Sequence, residues 1–470
     1  MLQIPSGNHP SQPSYRVLNP ATGEILETFS MATDAEVHHA IVAADEAFRS
    51  WRETPIDERS KVVNRIGELF AERTEELAAI ITSEMGKPID EARDEVAFCV
   101  DIFNYFATEG PTLASDQEIK SYSGGRAIIQ KRPVGPLLGI MPWNYPYYQV
   151  ARFAAPNLVL GNTVILKHAE SCPRSALAIQ KIMDEAGLPH GAYVNVFATH
   201  SQVAEIIADP RIQGVSVTGS ERAGAAIGEL AGKNLKKAVL ELGGSDPYVI
   251  LDADDIDQAA ENAWARRMEN TGQACNSNKR LIVMADIYEP FVAKLKELAQ
   301  ALRPGNPAMP ESGTYAPLSS KAAADGVCAL VNDAVDKGAT LHAGGHVLDD
   351  GSAYFAPAVL TGVTPNMRAY SEEIFGPVAV VYKVASDQEA IELANDSAYG
   401  LGGAVFSTDT ERARKLAERL DVGMSSVNVH SAERAELPFG GVKRSGFGRE
   451  LGPLGMDEFV NKRLLYIADQ

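Results

Sequence analysis

Cysteine is scarce in this 470-residue chain: Cys99, Cys172, Cys275 and Cys328 stand apart with no paired spacing. That excludes a disulfide framework and the clustered thiols of a zinc site, and no other metal site is apparent. A reducing, cytoplasmic compartment is the expectation. Long hydrophobic runs are also missing. No stretch approaches the roughly 20 apolar residues of a membrane span. The opening Met1–Pro13 is polar and lacks the apolar centre of a secretory signal, so it reads as a loose tail. Positive charge is short: 43 Lys and Arg face 62 Asp and Glu, a net charge of −19. Nucleic acid and anionic membrane are therefore poor partners. An anionic substrate would need a local basic group to receive it. No short-period repeat stands out.

The length predicts two or three domains. The first third carries long helical patterns. Apolar residues at Val37, Ile41, Ala44, Phe48 and Trp51 predict a helix over Ala35–Trp51. A second is expected over Asp57–Met85, stopped by Gly86-Lys87-Pro88, and a third over Glu91–Phe106. From Ala127 the texture changes. Short apolar runs at Leu137–Met141, Thr163–Leu166, Tyr193–Phe197 and Gly214–Val217 alternate with helices at Ser175–Glu185 and Gln202–Ala208. That alternation predicts an α/β fold with a doubly wound parallel sheet and ligands at the strand C-termini. A second α/β pattern follows Glu241, with strands at Tyr248–Leu251, Arg280–Val283 and Val378–Val384.

Against this background Cys275 is the most informative residue. It lies in the turn-forming stretch Asn270-Thr271-Gly272-Gln273-Ala274-Cys275. Upstream lie Glu241-Leu242-Gly243-Gly244 and Pro142-Trp143-Asn144-Tyr145-Pro146. A thiolate can attack a carbonyl, an amide can hold the developing oxyanion, and a carboxylate can activate the water that releases an acid. Each piece alone has a plainer reading: a small buried hydrophobe, a strand end, a turn held by its prolines. Their order, with Glu372-Glu373-Ile374-Phe375-Gly376-Pro377 and Pro438-Phe439-Gly440-Gly441 downstream, resembles the aldehyde dehydrogenase superfamily from about Asn19 to about Phe459.

The resemblance implies two Rossmann-like α/β domains plus a small β oligomerisation element. An NAD-binding domain would span residues 1–114 and 134–240, and a catalytic domain 241–438. The oligomerisation element would be built from 115–133 and 439–470, pairing subunits into homodimers or homotetramers. Cys275 becomes the nucleophile, Glu241 the base and Asn144 the oxyanion donor.

Val217-Thr218-Gly219-Ser220-Glu221-Arg222-Ala223-Gly224 follows a strand and opens a helix. Its amides and helix dipole suit phosphate, although an ordinary strand-to-helix turn looks the same. The resemblance places Gly219, Ser220 and Gly224 at the pyrophosphate, and Lys167 and Glu170 at the adenosine ribose. Met141, Pro142, Trp143, Leu242, Glu373 and Phe375 complete the cofactor contacts. A carboxylate at Glu170 would repel a 2′-phosphate, favouring NAD over NADP, with Lys167 able to offset part of that repulsion. Lys167 is also a candidate for lowering the thiol pKa. His168 replaces the proline usual after this lysine and is read as a surface or supporting residue. Phe197-Ala198-Thr199-His200 departs from the family's glycine-rich stretch, so a different backbone shape is expected there. Ser277 excludes the regulatory disulfide that the nucleophile can form in relatives carrying a cysteine at that position.

Arg152 is the best substrate clue. Relatives acting on neutral aldehydes usually carry an aromatic residue there, whereas succinate semialdehyde dehydrogenases often carry arginine. A guanidinium near the nucleophile can clamp a distal carboxylate by a bidentate pair. The competing reading is an internal salt bridge. Tyr148 and Arg434, the latter in the loop Asn428–Leu437, are further substrate contacts on this view. The chain is most similar to the shorter bacterial succinate semialdehyde dehydrogenases. A broad-specificity or amino-aldehyde enzyme with the same chemistry is the alternative.

Overall fold

Two mainly parallel sheets organise the chain in the computed structural model, which describes residues 15–348 and 351–469. The tail expected over Met1–Pro13 lies outside the described residues. In the first sheet Tyr193–Asn195, Thr163–His168, Pro136–Met141, Gly214–Thr218 and Lys237–Glu241 lie side by side and parallel. Gly446–Phe447 extends this sheet antiparallel to Lys237–Glu241. The strands Thr163–His168 and Gly214–Thr218 are buried throughout, which is why they read as continuous apolar runs. Strand order reverses at Pro136–Met141. The segments leaving Met141 and Thr218 therefore part there and open a crevice at the strand C-termini.

The second sheet runs Thr340–Ala343, Ala358–Thr361, Val378–Val384, Arg280–Met284, Pro247–Ile250, Gly402–Phe406 and Met424–Val427. Only the first of these is antiparallel to its neighbour. A separate antiparallel sheet joins Gln117–Ile119, Arg126–Pro133 and Val460–Ile467. The C-terminal segment is thus shared: Gly446–Phe447 belongs to the first sheet and Val460–Ile467 to the small one.

The helix expected over Asp57–Met85 is two helices, Ile56–Glu72 and Thr74–Met85, broken at Arg73. Gly86, at φ 79°, terminates the second in the left-handed region that glycine tolerates. Three helices position the site: α1 (Ile89–Leu113), α2 (Tyr148–Leu160) and α3 (Glu221–Lys233). All residues of α2 are buried, so it shows no amphipathic stripe in the sequence. Among the described residues, no helix is long and apolar enough to cross a membrane.

Candidate active site

Cys275 ends a loop of unusual backbone. Asn270 (φ 48°), Thr271 (φ 53°) and Gly272 (φ 75°) are consecutive left-handed residues, and the first two have side chains that disfavour that region. Such a loop persists only where its surroundings hold it. Arg267, fully buried, donates to Gly272 O (3.1 Å), Ser277 Oγ (2.9 Å), Val378 O (2.8 Å) and Ile374 O (2.8 Å). Lys279 Nζ donates to Ala274 O (2.6 Å) and Cys275 O (2.7 Å). Burial pushes the Cys275 thiol up to about 12, against the opposing pull of Arg152 and Lys279. Lys279, not Lys167, is therefore the lysine beside the thiol. Lys167 instead pairs with Glu170 at 3.6 Å.

Asn144 sits between this loop and α2. Its Nδ2 donates to Gln273 O (3.0 Å), its Oδ1 accepts from Gln149 Nε2 (2.9 Å), and its carbonyl accepts from Asn270 Nδ2 (2.9 Å). A side-chain amide carries two N–H donors, so one remains for an oxyanion. His168 anchors the same turn. It is fully buried, not at the surface: Nδ1 accepts from Ala169 N (2.7 Å), which leaves Nε2 to donate to Pro146 O (2.8 Å). Burial lowers its pKa to about 4, so the ring is neutral.

Glu241 closes the strand Lys237–Glu241, 2% exposed, and neither carboxylate oxygen has a hydrogen-bond donor among the described residues. Burial pushes its pKa well above the usual carboxylate range, and Arg152 opposes that shift. Arg152, expected as a substrate clamp, has an internal partner instead of a free guanidinium. It is 1% exposed and ion-paired through Nε to Glu450, whose Oε1 accepts from Ser216 Oγ (3.1 Å). Its remaining nitrogens donate to Thr218 Oγ1 (3.1 Å) and Tyr148 Oη (3.3 Å), and the guanidinium lies over the Phe439 and Tyr148 rings. The internal salt bridge is the reading the geometry supports. No local pattern in the sequence joins Arg152 to Glu450.

The crevice at the switch point gathers the cofactor candidates. Ser220 caps α3 by accepting from Ala223 N (3.3 Å), and the first-turn amides form an anion-attracting helix terminus next to Gly219. Gly224 packs on Leu242: an added Cβ would lie 2.5 Å from its methyl carbons. Glu373 accepts from Gly244 N (3.1 Å) and Lys279 Nζ (2.9 Å). Phe375 meets the edge of Trp143 at 5.7 Å, beyond Met141 and Pro142 at the strand exit. Glu170 is part-exposed at the end of Thr163–His168, with Lys167 beside it. A helix N-terminus, a part-exposed carboxylate beside a lysine and an aromatic pair are groups suited to a dinucleotide. At Phe197-Ala198-Thr199-His200, Thr199 caps the helix His200–Ala208 in a reciprocal box with Gln202, which needs no glycine.

A cavity of about 240 Å³ is walled by Tyr145, Tyr148, Phe98, Glu91, Asp94, Glu95, Glu269 and Glu433. Arg266 bridges Glu269 and Glu433. Arg434 is exposed and lines two adjoining cavities with Ser431 and Glu433.

Comparison with known proteins bears on the family and the fold. The model of the aldehyde dehydrogenase family matches residues 8–465. A protein of Deinococcus radiodurans named succinate-semialdehyde dehydrogenase [NADP(+)] is 52% identical, over 99% of this chain and 97% of its own. An Escherichia coli succinate semialdehyde dehydrogenase [NAD(P)+] is 42% identical, over 94% and 96%. The crystal structure of succinic semialdehyde dehydrogenase from Streptococcus pyogenes, in complex with NADP+, superposes with a TM-score of 0.94. It is 41% identical, over 97% of this chain and 100% of that one. With the fold, the family match and these relatives in agreement, the chain belongs to the aldehyde dehydrogenase family, whose members oxidise aldehydes with NAD(P).

Proposed function

We propose that this enzyme oxidises succinate semialdehyde to succinate in the cytoplasm, with NAD preferred. The observation that carries the substrate is the 52% identity, over nearly the whole chain, to a protein named for it. Glu170 supports NAD, because a carboxylate beside the ribose would repel a 2′-phosphate, although two of the relatives are named for NADP or crystallised with it. Cys275 adds to the aldehyde carbon as thiolate. Its own backbone N–H and the free N–H of Asn144 receive the oxyanion; one such donor is typically worth about 3 kcal/mol. The nicotinamide, when bound, supplies the hydride acceptor that turns the thiohemiacetal into a thioester. Met141, Pro142, Trp143, Leu242, Glu373 and Phe375 would hold that end, and Gly219, Ser220 and Gly224 the pyrophosphate. Glu241 takes a proton from the water that hydrolyses the thioester. Because Arg152 is committed to Glu450, Arg434 is the residue assigned to the substrate carboxylate, with Tyr148 lining the neighbouring cavity that shares Glu433. The exposed apolar row Leu464, Leu465, Tyr466 and Ile467 on the small sheet supports a homo-oligomer.

One observation favours a second reading. The carboxylates Glu91, Asp94, Glu269 and Glu433 around the 240 Å³ cavity suit a cationic amino aldehyde. Steady-state NADH formation with succinate semialdehyde, 4-aminobutanal and butanal separates the two. The proposal expects kcat/KM for succinate semialdehyde at least about tenfold above butanal, a gap worth roughly 1.4 kcal/mol, and loss of that gap in Arg434→Ala. Equal rates for succinate semialdehyde and butanal, or preference for 4-aminobutanal, overturn it.

A further inference from the structure

Two segments must meet for the proposed oxyanion site to exist: the left-handed loop before Cys275 and the turn that carries Asn144 into α2. Both are tied to one face of α1. Glu91 Oε2 accepts from Asn270 N at 2.6 Å, on the first left-handed residue of the loop. One turn further along, Glu95 Oε1 accepts from Tyr147 N (2.8 Å) and Tyr148 N (3.1 Å). Residues four apart on a helix share a face, so these two carboxylates form a short ladder facing the site. The start of α2 has no side-chain cap of its own and no acidic residue in its first turn. Glu95 supplies both the acceptor and the negative charge that a helix N-terminus lacks.

The ladder is fixed at its base. Lys87, at the turn before α1, pairs with Glu95 Oε2, and neither side chain is exposed. The same Lys87 ammonium lies 3.6 Å from the centroid of the Tyr145 ring, the residue next to Asn144. A buried ion pair with both partners satisfied and one oxygen spent on two backbone amides leaves little freedom of position.

We propose that Glu91 and Glu95 are positioning residues that hold the Asn144 amide in register with the Cys275 loop, with Lys87 fixing Glu95. This inference rests on the reading of Cys275 as nucleophile and Asn144 as oxyanion donor. Neither glutamate touches the reacting atoms; each acts through a backbone amide of the segment it holds.

The test is a double-mutant cycle on Glu91 and Asn144, read by the rate constant of the first NADH burst with succinate semialdehyde or butanal. KM, NADH binding by fluorescence and melting temperature are measured on the same preparations. Glu91→Ala should lower the burst rate about 10- to 100-fold, below the full loss of an oxyanion donor, with KM and NADH affinity within about twofold of wild type. In the Asn144→Ala background the same change should cost less than about twofold, because the register it protects is then of no use. Glu91→Gln, which keeps an acceptor oxygen for Asn270 N–H, should recover most of the lost rate. The pair Lys87→Met/Glu95→Gln should repeat the burst defect with no buried charge left alone. A burst rate unchanged in Glu91→Ala overturns the proposal. So does a full additive loss in the Asn144→Ala background, or a loss that follows NADH affinity and melting temperature. Cys275→Ser separates the underlying reading: retained dehydrogenase turnover there sinks the nucleophile assignment itself. An inactive Cys275→Ser beside a fully active Glu91→Ala sinks only the positioning role.

Discussion

Removing Arg152 distinguishes an internal electrostatic element from a substrate clamp. Its guanidinium is 1% exposed and paired with Glu450, which is itself 4% exposed. Arg152→Met leaves Glu450 buried without its counter-charge, with Glu241 as a second buried acid in its field. Breaking one side of a buried pair costs about 3–5 kcal/mol, mostly the penalty on the charge left behind. With a urea slope of about 3 kcal/mol per molar, the unfolding midpoint falls by roughly 1–1.7 M. Arg152→Met/Glu450→Gln leaves neither charge alone and should recover most of that loss. Turnover should stay low in both variants, because Arg152 also opposes the upward shifts of Cys275 and Glu241. The assay pairs urea melts with kcat/KM for succinate semialdehyde and for butanal. Equal loss on both aldehydes, with stability restored only in the double variant, is the expected result. An Arg152→Met protein that melts like wild type, turns over butanal normally and loses only its succinate semialdehyde preference refutes this reasoning.

Other consequences follow from the site's charges. With the Cys275 thiol pushed up to about 12, inactivation of the free enzyme by iodoacetamide should accelerate about tenfold per pH unit between 7 and 10. A plateau below pH 9 contradicts it. Glu91 is raised to about 7, mainly by burial, from 4.5. A raised folded-state pKa contributes stability that is complete below about pH 4.5 and is lost as pH rises through about 7, with a ceiling near 3 kcal/mol that residual solvent reduces. Glu91→Gln does not titrate, so the wild-type melting temperature should gain on the variant's between pH 8.5 and pH 5; a constant difference contradicts the shift. Glu170→Ser should raise kcat/KM for NADP about tenfold while lowering that for NAD, and an unchanged ratio removes Glu170 from cofactor choice.

Much of the fold was legible because its strands obey local rules. Runs such as Thr163–Leu166 and Gly214–Val217 are buried on both faces and read as strands without help from their neighbours. Gly86 and the apolar spacing of Asp34–Trp51 mark helix limits in the same local way. The failures have physical reasons. No Gly or Pro separates Ile56–Glu72 from Thr74–Met85, so the break at Arg73 has no sequence mark. The wholly buried α2 lacks the polar face that betrays a helix. Gly446–Phe447 joins the first sheet through a pairing with Leu240 and Glu241 that no local pattern announces.

The candidate site divides along the same line. Cys275, Glu241 and Asn144 stood out because their chemistry is tied to residue type and to order along the chain. What each does electrostatically depends on partners brought in by the fold. Arg152 beside an active-site turn suggested a clamp, yet Glu450, almost three hundred residues later, takes its charge. Lys279 approaches the thiol because the strand Arg280–Met284 begins there, and it bridges Cys275 O and Glu373 at once. Nothing in the sequence singles out Glu91 and Glu95 on their helix, and only the packing of α1 turns them onto two backbone segments far ahead in sequence. The candidate reactive groups of this site are therefore suggested by residue type and order. Protonation there is governed first by burial and then by charged partners that the linear sequence does not mark.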